Sequence, residues 1–363
     1  MKSQIISITN TFLQNPTAPY REGIVRQAIL QFCTDRGIQT TVDKMGNILA
    51  VFGAKYSNTP LTFVAHQDHP GFIIEKDSVR NKTTALFYGG VEKSYFHKGT
   101  PIRVFTSTGS IPGRITQVQF DDKNKRKRVW LALNGPAQKG DLAMWDLPTC
   151  QIQDDLLHSR ACDDLIGCAA ILCLFDQLHR RKIRRKVLGL FTVAEEAGLH
   201  GAKYVCKHKS LPQDRVIISI ETSSALPTAP IGKGVVIRVG DRSRIFNPSV
   251  IQWMVTIAAN LQKQDKTFLY QRQLMDAGTC EASIFTQFGY TTGAVCIPLG
   301  NYHNRDAKKG VIASEIVSVN DYLNMIKLFL ALVIKGGDAV QLHLTKMPTY
   351  KKRIGELGEL FLE

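Results

Sequence analysis

Continuous apolar runs, bounded by glycine or polar clusters, alternate along the chain with stretches whose apolar residues return every three or four positions. The runs at 61–65 and 187–193 have the unbroken character of strands buried on both faces. Helical signals cover residues 1–36, where Ile24, Val25, Ala28, Ile29, Phe32 and Cys33 share one face before Gly37 stops the pattern. Residues 38–42 and 47–52, joined through Asp43-Lys44-Met45-Gly46, form the pattern of a hairpin. A strong helix is predicted over 163–180, with Leu165, Ala169, Leu172, Cys173, Leu174 and Leu178 on its apolar face. After the 187–193 strand the rhythm predicts helix 200–208, strand 215–220, helix 248–262, strand 267–271, helix 281–288, strand 293–297 and helix 315–335. Strands alternating with helices make an α/β fold, a mostly parallel sheet flanked by helices.

One region breaks this rhythm. From 72 to 160, short alternating runs such as 102–105, 113–118 and 129–133 are punctuated by Gly, Pro and Asn, the texture of a small β-barrel or sandwich without helices. The expected organisation is therefore an α/β domain made of residues 1–71 and 161–363, carrying a β-rich insert at 72–160.

Composition narrows the class without changing this outline. With 363 residues, 44% hydrophobic and 21% charged, the chain has the make-up of an ordered globular protein. Eight cysteines are scattered, several inside apolar runs and none in a C-x-x-C pair, so buried reduced thiols are expected and a metal–thiolate site is not. No apolar run approaches the roughly 20 residues that span a bilayer. The first residues hold no continuous apolar core, so a secretory leader is not expected and a cytoplasmic location is. The net charge of +15 is concentrated in runs at 123–128, 180–186 and 351–353. Such runs are solvated loops and helix ends that permit contact with acidic surfaces; no nucleic-acid motif accompanies them, and neither a nucleic-acid nor a membrane partner is expected.

The chemistry lies at the strand ends. His66 with Asp68, Asp163 with Asp164, Glu195 with Glu196, Glu221, and His303 each stand just past an apolar strand or at a helix start. Singly each has a plain structural reading: a satisfied core histidine, a helix cap at Asp163, a solvated acidic turn at Glu195-Glu196. Because strand ends of a parallel sheet converge on one edge, their joint occurrence makes a mixed His/carboxylate cluster the economical reading. Imidazole and carboxylate oxygens are the donors zinc uses in catalytic sites, and two His with three carboxylates supply two donors per metal plus a bridge. One Glu is left over as a general base for a hydrolase, and Asp68 is placed to orient the His66 imidazole.

Taken together, His66-x-Asp68, Ala161-Cys162-Asp163-Asp164, the 195–202 stretch Glu-Glu-Ala-Gly-Leu-His-Gly-Ala and the 297–303 stretch Ile-Pro-Leu-Gly-Asn-Tyr-His resemble the tetrahedral (glutamyl/deblocking) aminopeptidases, a family of di-zinc metallopeptidases. Asp43-Lys44-x-Gly46-Asn47, Lys139-Gly140-Asp141 and Asp276-Ala277-Gly278-Thr279 extend the likeness over nearly the whole chain. The resemblance implies that Asp163 bridges two divalent metals, that His66 and Glu221 complete one site, and that Glu196 and His303 complete the other. It further implies Glu195 as general base, Asp68 as the partner of His66, zinc as the metal with cobalt or manganese as alternatives, and peptides as substrates. The fold it implies is a peptidase domain with an inserted β-barrel dimerisation domain, assembling as a homo-oligomer of dimers up to a dodecamer.

The chain departs from that pattern at Glu221, where the family has Asp, at His69-Pro70, within 276–281, and in its basic charge. The longer Glu221 keeps a carboxypeptidase, deacylase or amidohydrolase of the wider co-catalytic group open as an alternative reading. A non-catalytic binding protein is the remote one, since every expected donor position is filled.

Overall fold

The computed structural model describes residues 1–345 apart from 57, 122, 124 and 125; the basic run at 351–353 and part of the run at 123–128 lie outside the described residues. Helices α1 (Lys2–Leu13) and α2 (Gly23–Thr34) lead into the hairpin β1 (Gln39–Val42) and β2 (Ile48–Phe52), then β3 (Asn58–His66). Six strands follow: β4 (Gly71–Ile74), β5 (Lys82–Tyr88), β6 (Pro101–Thr106), β7 (Gly109–Asp121), β8 (Arg126–Leu133) and β9 (Leu142–Trp145). Short strands β10 (Gln151–Gln153) and β11 (Leu156–Ser159) precede α3 (Leu165–Arg180) and β12 (Lys186–Thr192). Next come α4 (His200–Lys207), β13 (Val216–Ser224), β14 (Val235–Gly240), α5 (Pro248–Gln264), β15 (Tyr270–Leu274), α6 (Glu281–Gln287) and β16 (Thr291–Leu299). Strands β17 (Arg305–Asp306), β18 (Val311–Ile312) and β19 (Glu315–Ser318) end at helix α7 (Val319–Thr345).

Among the described residues the main sheet has eight strands in the order β1-β2-β12-β3-β13-β16-β14-β15. Its central strands β12, β3, β13 and β16 run parallel, and antiparallel neighbours β2 and β14 flank them. Alternate side chains of the central strands feed two cores. Phe63, Ala65, Phe191, Ile218 and Ile220 pack with α3, α5 and α7, whereas Val64, Leu188, Leu190 and Ile217 pack with α4 and α6. This two-sided burial explains the unbroken apolar runs. At Gly189 of β12 a Cβ would lie 2.7 Å from Ile171 and 2.9 Å from Phe175, so the missing side chain is what lets α3 sit against the sheet.

Between β3 and α3 the chain builds a closed barrel, β4-β5-β8-β7-β6-β9, which decides between barrel and sandwich. Phe72, Phe87, Phe96 and Trp145 fill it, with Phe72 edge-on to both Phe87 and Trp145 at 4.8 Å between ring centroids. A single helical turn at Lys93–Tyr95 interrupts it. Strands β10 and β11 belong elsewhere, pairing with β19 in a small sheet beside the barrel.

Three expectations need correction. The last helix starts at Val319, because Glu315–Ser318 pairs antiparallel with β11 as a strand. The strand placed at 267–271 is Tyr270–Leu274, and β14 was not anticipated. As expected, all eight cysteines are free thiols, seven of them buried. Among the described residues no helix is long and apolar enough to cross a membrane.

Candidate metal centre

The parallel strands deliver their carboxyl ends to one edge, and the sequence-derived residues meet there. His66 is the last residue of β3, Glu221 lies within β13, and Glu195-Glu196 follow β12. Asp163 stands just before α3, and His303 occupies the turn after β16. Two sets of three donors form, His66 with Asp163 and Glu221, and Asp163 with Glu196 and His303; within each set the donor atoms lie within 4.8 Å of one another. Asp163 belongs to both sets. The cap of α3 is its neighbour Asp164, whose carboxylate accepts from the Gly167 amide at 3.1 Å, so Asp163 is released from that duty.

The donors crowd one another without satisfying one another. His303 Nε2 stands 2.9 Å from Glu196 Oε1 and 3.6 Å from Asp163 Oδ2, while His66 Nε2 is 3.4 Å from Asp163 Oδ1. Asp163 Oδ1, Glu221 Oε1 and His303 Nε2 are buried with no hydrogen-bond partner. Buried polar atoms are ordinarily paired, and three orphans aimed at one spot are what a cation would satisfy. The donor chemistry, imidazole plus carboxylate with one shared carboxylate, fits two divalent cations.

Four of the five donors, all but Glu221, belong to residues held from behind. His66 Nδ1 is 3.1 Å from the Asp68 carbonyl, and His303 Nδ1 is 3.0 Å from the carbonyl of Gly90 in the barrel, so both rings present Nε2 to the cluster. The Asp68 carboxylate, 3.6 Å from His66 Nδ1, accepts from the Glu195 amide at 2.9 Å and the Glu196 amide at 3.0 Å. The preceding amide, Ala194, donates to Glu22 at 3.0 Å. Three successive amides of a turn that starts with Ala194 at φ 50° are thus pinned by two buried carboxylates. On the far side, buried Glu315 accepts from the amides of Cys162 at 2.6 Å, Asp163 at 3.1 Å and His303 at 2.9 Å. His69, also buried, bonds the Asp163 carbonyl through Nδ1 and Asn304 Oδ1 through Nε2 at 3.0 Å.

The electrostatics follow from too many carboxylates under too little water. Burial works against the charged forms of His66 and His303, but Asp163 with Asp68 at the first, and Glu196 with Asp163 at the second, hold both imidazoles well above their usual range. Asp163, despite burial, is pulled below the carboxylate range by the two histidines. Burial pushes Glu195 and Glu221 well up against the opposing pull of His66, with Glu221, Glu196 and Asp68 adding to Glu195 and Asp163 adding to Glu221. A pocket of about 40 Å³ opens on the cluster, walled by Glu195, Thr222, Met275, Cys280 and Tyr302. Arg238 of β14 also lines it, bonding Ser223 Oγ at 3.3 Å and the Met275 carbonyl at 3.4 Å, with Nε unpartnered.

Sequence reasoning did not find Glu22, Glu315 or Arg238. Glu22 and Glu315 act on backbone amides far along the chain, which leaves no local spacing to read; Arg238 sits in β14, a strand that the apolar pattern does not predict.

A helix-flanked mixed sheet with a closed barrel inserted carries, at the sheet's carboxyl edge, two candidate cation-binding donor sets that share one carboxylate. The sequence pattern of the M42 glutamyl aminopeptidase family matches residues 136–328, more than half of the chain, and the chain belongs to that family. It is 25% identical over 277 residues to the glutamyl aminopeptidase of Lactococcus lactis, covering 68% of this chain and 76% of that protein. The fold is similar to that of a TET aminopeptidase from a marine-sediment Thaumarchaeota archaeon (TM-score 0.78, 20% identity, 94% of this chain and 99% of that one). It is similar too to Pyrococcus horikoshii TET1, a peptidase that can assemble into a tetrahedron or a large octahedral shell (TM-score 0.74, 23% identity, 91% and 99% covered).

Proposed function

We propose that the chain is a metal-dependent aminopeptidase that hydrolyses N-terminal residues from peptides. The observation carrying this reading is the pair of three-donor sets joined through Asp163, with Glu195 beside them on the same pocket wall. His66, Asp163 and Glu221 hold one cation; Asp163, Glu196 and His303 hold the other. Zinc is the first candidate, with cobalt or manganese as alternatives, since all three accept this donor set.

When bound, the cations supply a water acidified toward neutrality and a positive field that offsets charge developing on the scissile carbonyl. Glu195 takes the proton of that water on its carboxylate and returns it to the departing amine. Its place suits the task, on the wall of the same pocket as both donor sets. Asp68 and Glu22 keep the base in place by fixing the amides of its turn. Family membership supports the choice of amide bond.

The barrel is proposed as the dimerisation unit of a cytoplasmic homo-oligomer, a reading supported by the shells that TET1 forms. Glu195→Gln tests the mechanism: bound metal should remain near the native amount while turnover of aminoacyl p-nitroanilides falls by about 10²–10⁴-fold. Full turnover in that variant would remove Glu195 from the role. Hydrolysis of N-acylated peptides as fast as free ones would overturn the aminopeptidase assignment.

A further inference from the structure

The metal pocket is not the only cavity that touches Glu196. A larger cleft of about 580 Å³ lies between the barrel and the Glu196-Ala197 turn, walled by Tyr20, Tyr88 and Phe120 and by the cations Lys93, Arg126 and Lys127. Asp121 lines it as well. Lys127 is the informative group. Its ammonium is half-buried on β8, donates to the Gly89 carbonyl at 2.9 Å, and lies 5.3 Å from the centre of the Phe87 ring. Among the described residues no carboxylate forms an ion pair with it, and the Glu92 charge that reaches it is itself paired with Arg305. A cation held in a partly dry wall, its nearby carboxylate already engaged by another cation, is a ready receptor for an anion.

Size decides which part of a peptide reaches it. The pocket of about 40 Å³ over the donor cluster admits little more than the end of a chain. The cleft, sharing Glu196 with that pocket, has room for the residues that follow. Resting on the aminopeptidase reading, we propose that this cleft binds the leaving portion of the substrate and that Lys127 recognises a carboxylate there, so that peptides carrying negative charge just beyond the scissile bond are preferred. The carboxylate is either an acidic side chain or the free C-terminus of a very short peptide.

The test uses the full-length, metal-loaded protein. A panel of aminoacyl p-nitroanilides first selects the leading residue, X. Four peptides are then compared: X-Asp-Ala-amide, X-Asn-Ala-amide, X-Ala with a free carboxylate, and X-Ala-amide. Recognition of a side chain predicts kcat/KM about tenfold higher for Asp than Asn, mostly through KM; recognition of a terminus predicts the same ratio between X-Ala and its amide. The favoured ratio should shrink with added salt, since Lys127 is only half-buried. Lys127→Met should bring it below about twofold, and Lys127→Arg, which keeps the charge if the Met variant folds poorly, should retain most of it. Both ratios within twofold in the native protein, or a ratio that survives Lys127→Met, would overturn the proposal. Failure of the aminopeptidase reading looks different, because then neither the p-nitroanilides nor any of the four peptides is cleaved.

Discussion

Glu315 is a buried carboxylate whose work is done on the backbone. Its Oε2 serves the amides of Cys162 and Asp163 and its Oε1 serves His303, so it ties together two segments that each carry a donor. Stranding a buried amide costs about 1–3 kcal/mol, and Glu315→Ala strands three, for roughly 3–9 kcal/mol in all. That approaches the whole stability of a typical domain, about 5–15 kcal/mol, so the alanine variant is expected to fold poorly. Glu315→Gln is the informative change. Its side chain has one acceptor oxygen, which can keep Cys162 and Asp163 while an NH₂ faces the His303 amide, or the reverse. The less damaging orientation loses one bond, giving a destabilisation of about 1–3 kcal/mol by urea denaturation. It also releases the His303 turn, which should weaken cation binding by about 10–100-fold in a calorimetric titration. Native stability and native cation affinity in the Gln variant would refute the clamp. Lost stability with unchanged affinity would refute its link to the donors.

Other expectations are simpler to state. Burial, then the Asp68 charge, push the Glu22 carboxyl up to about 7 from 4.5; it therefore binds more protons folded than unfolded in that interval, and its contribution to stability falls as pH rises from 4.5 through 7. Glu22→Gln, keeping an acceptor for Ala194, should gain on the native protein by roughly 1–3 kcal/mol at pH 8 and by little near pH 4.5; a difference flat with pH would contradict this. Stripping bound cations with a chelator should lower the thermal midpoint by roughly 5–10 °C, since two imidazoles alone then face the crowded carboxylates. An unmoved midpoint in fully chelated protein would argue against a cation in the cluster. Asp68→Ala frees the Glu195 and Glu196 amides and should reduce kcat by roughly 10–100-fold; native kcat would show that the turn holds itself.

What the sequence made legible was whatever repeats locally. Strands β3, β12, β13 and β16 were readable because burial on both faces writes an unbroken apolar run. The convergence of the candidate donors was readable because parallel strands end at a common edge. Strand β14 escaped because it follows Gly232 and Gly234 and carries a buried arginine, the signature of a loop rather than a core strand. Glu315 was absorbed into a helix because Val317, Val319 and Leu323 continue an apolar rhythm across a boundary set by pairing with distant β11. Helix rhythm is visible along the chain; a ladder with a strand about 160 residues away is not.

The barrel's closure has a further effect on how the donors find each other. His66 precedes the insert and Asp163, Glu196, Glu221 and His303 follow it, so bringing the first to the others closes a loop of about 100 residues in a featureless chain. Pairing of Phe72 with Ala143 and Ile73 with Leu142 joins the barrel's first and last strands. Once that ladder exists the loop is effectively about a quarter as long, which removes roughly 1 kcal/mol of closure entropy. Gly90 then meets the His303 ring, where even a methyl group would lie 3.2 Å from Nδ1. The insert thus acts as an internal splint, shortening the search for the two halves of the donor set and touching one ring when they arrive.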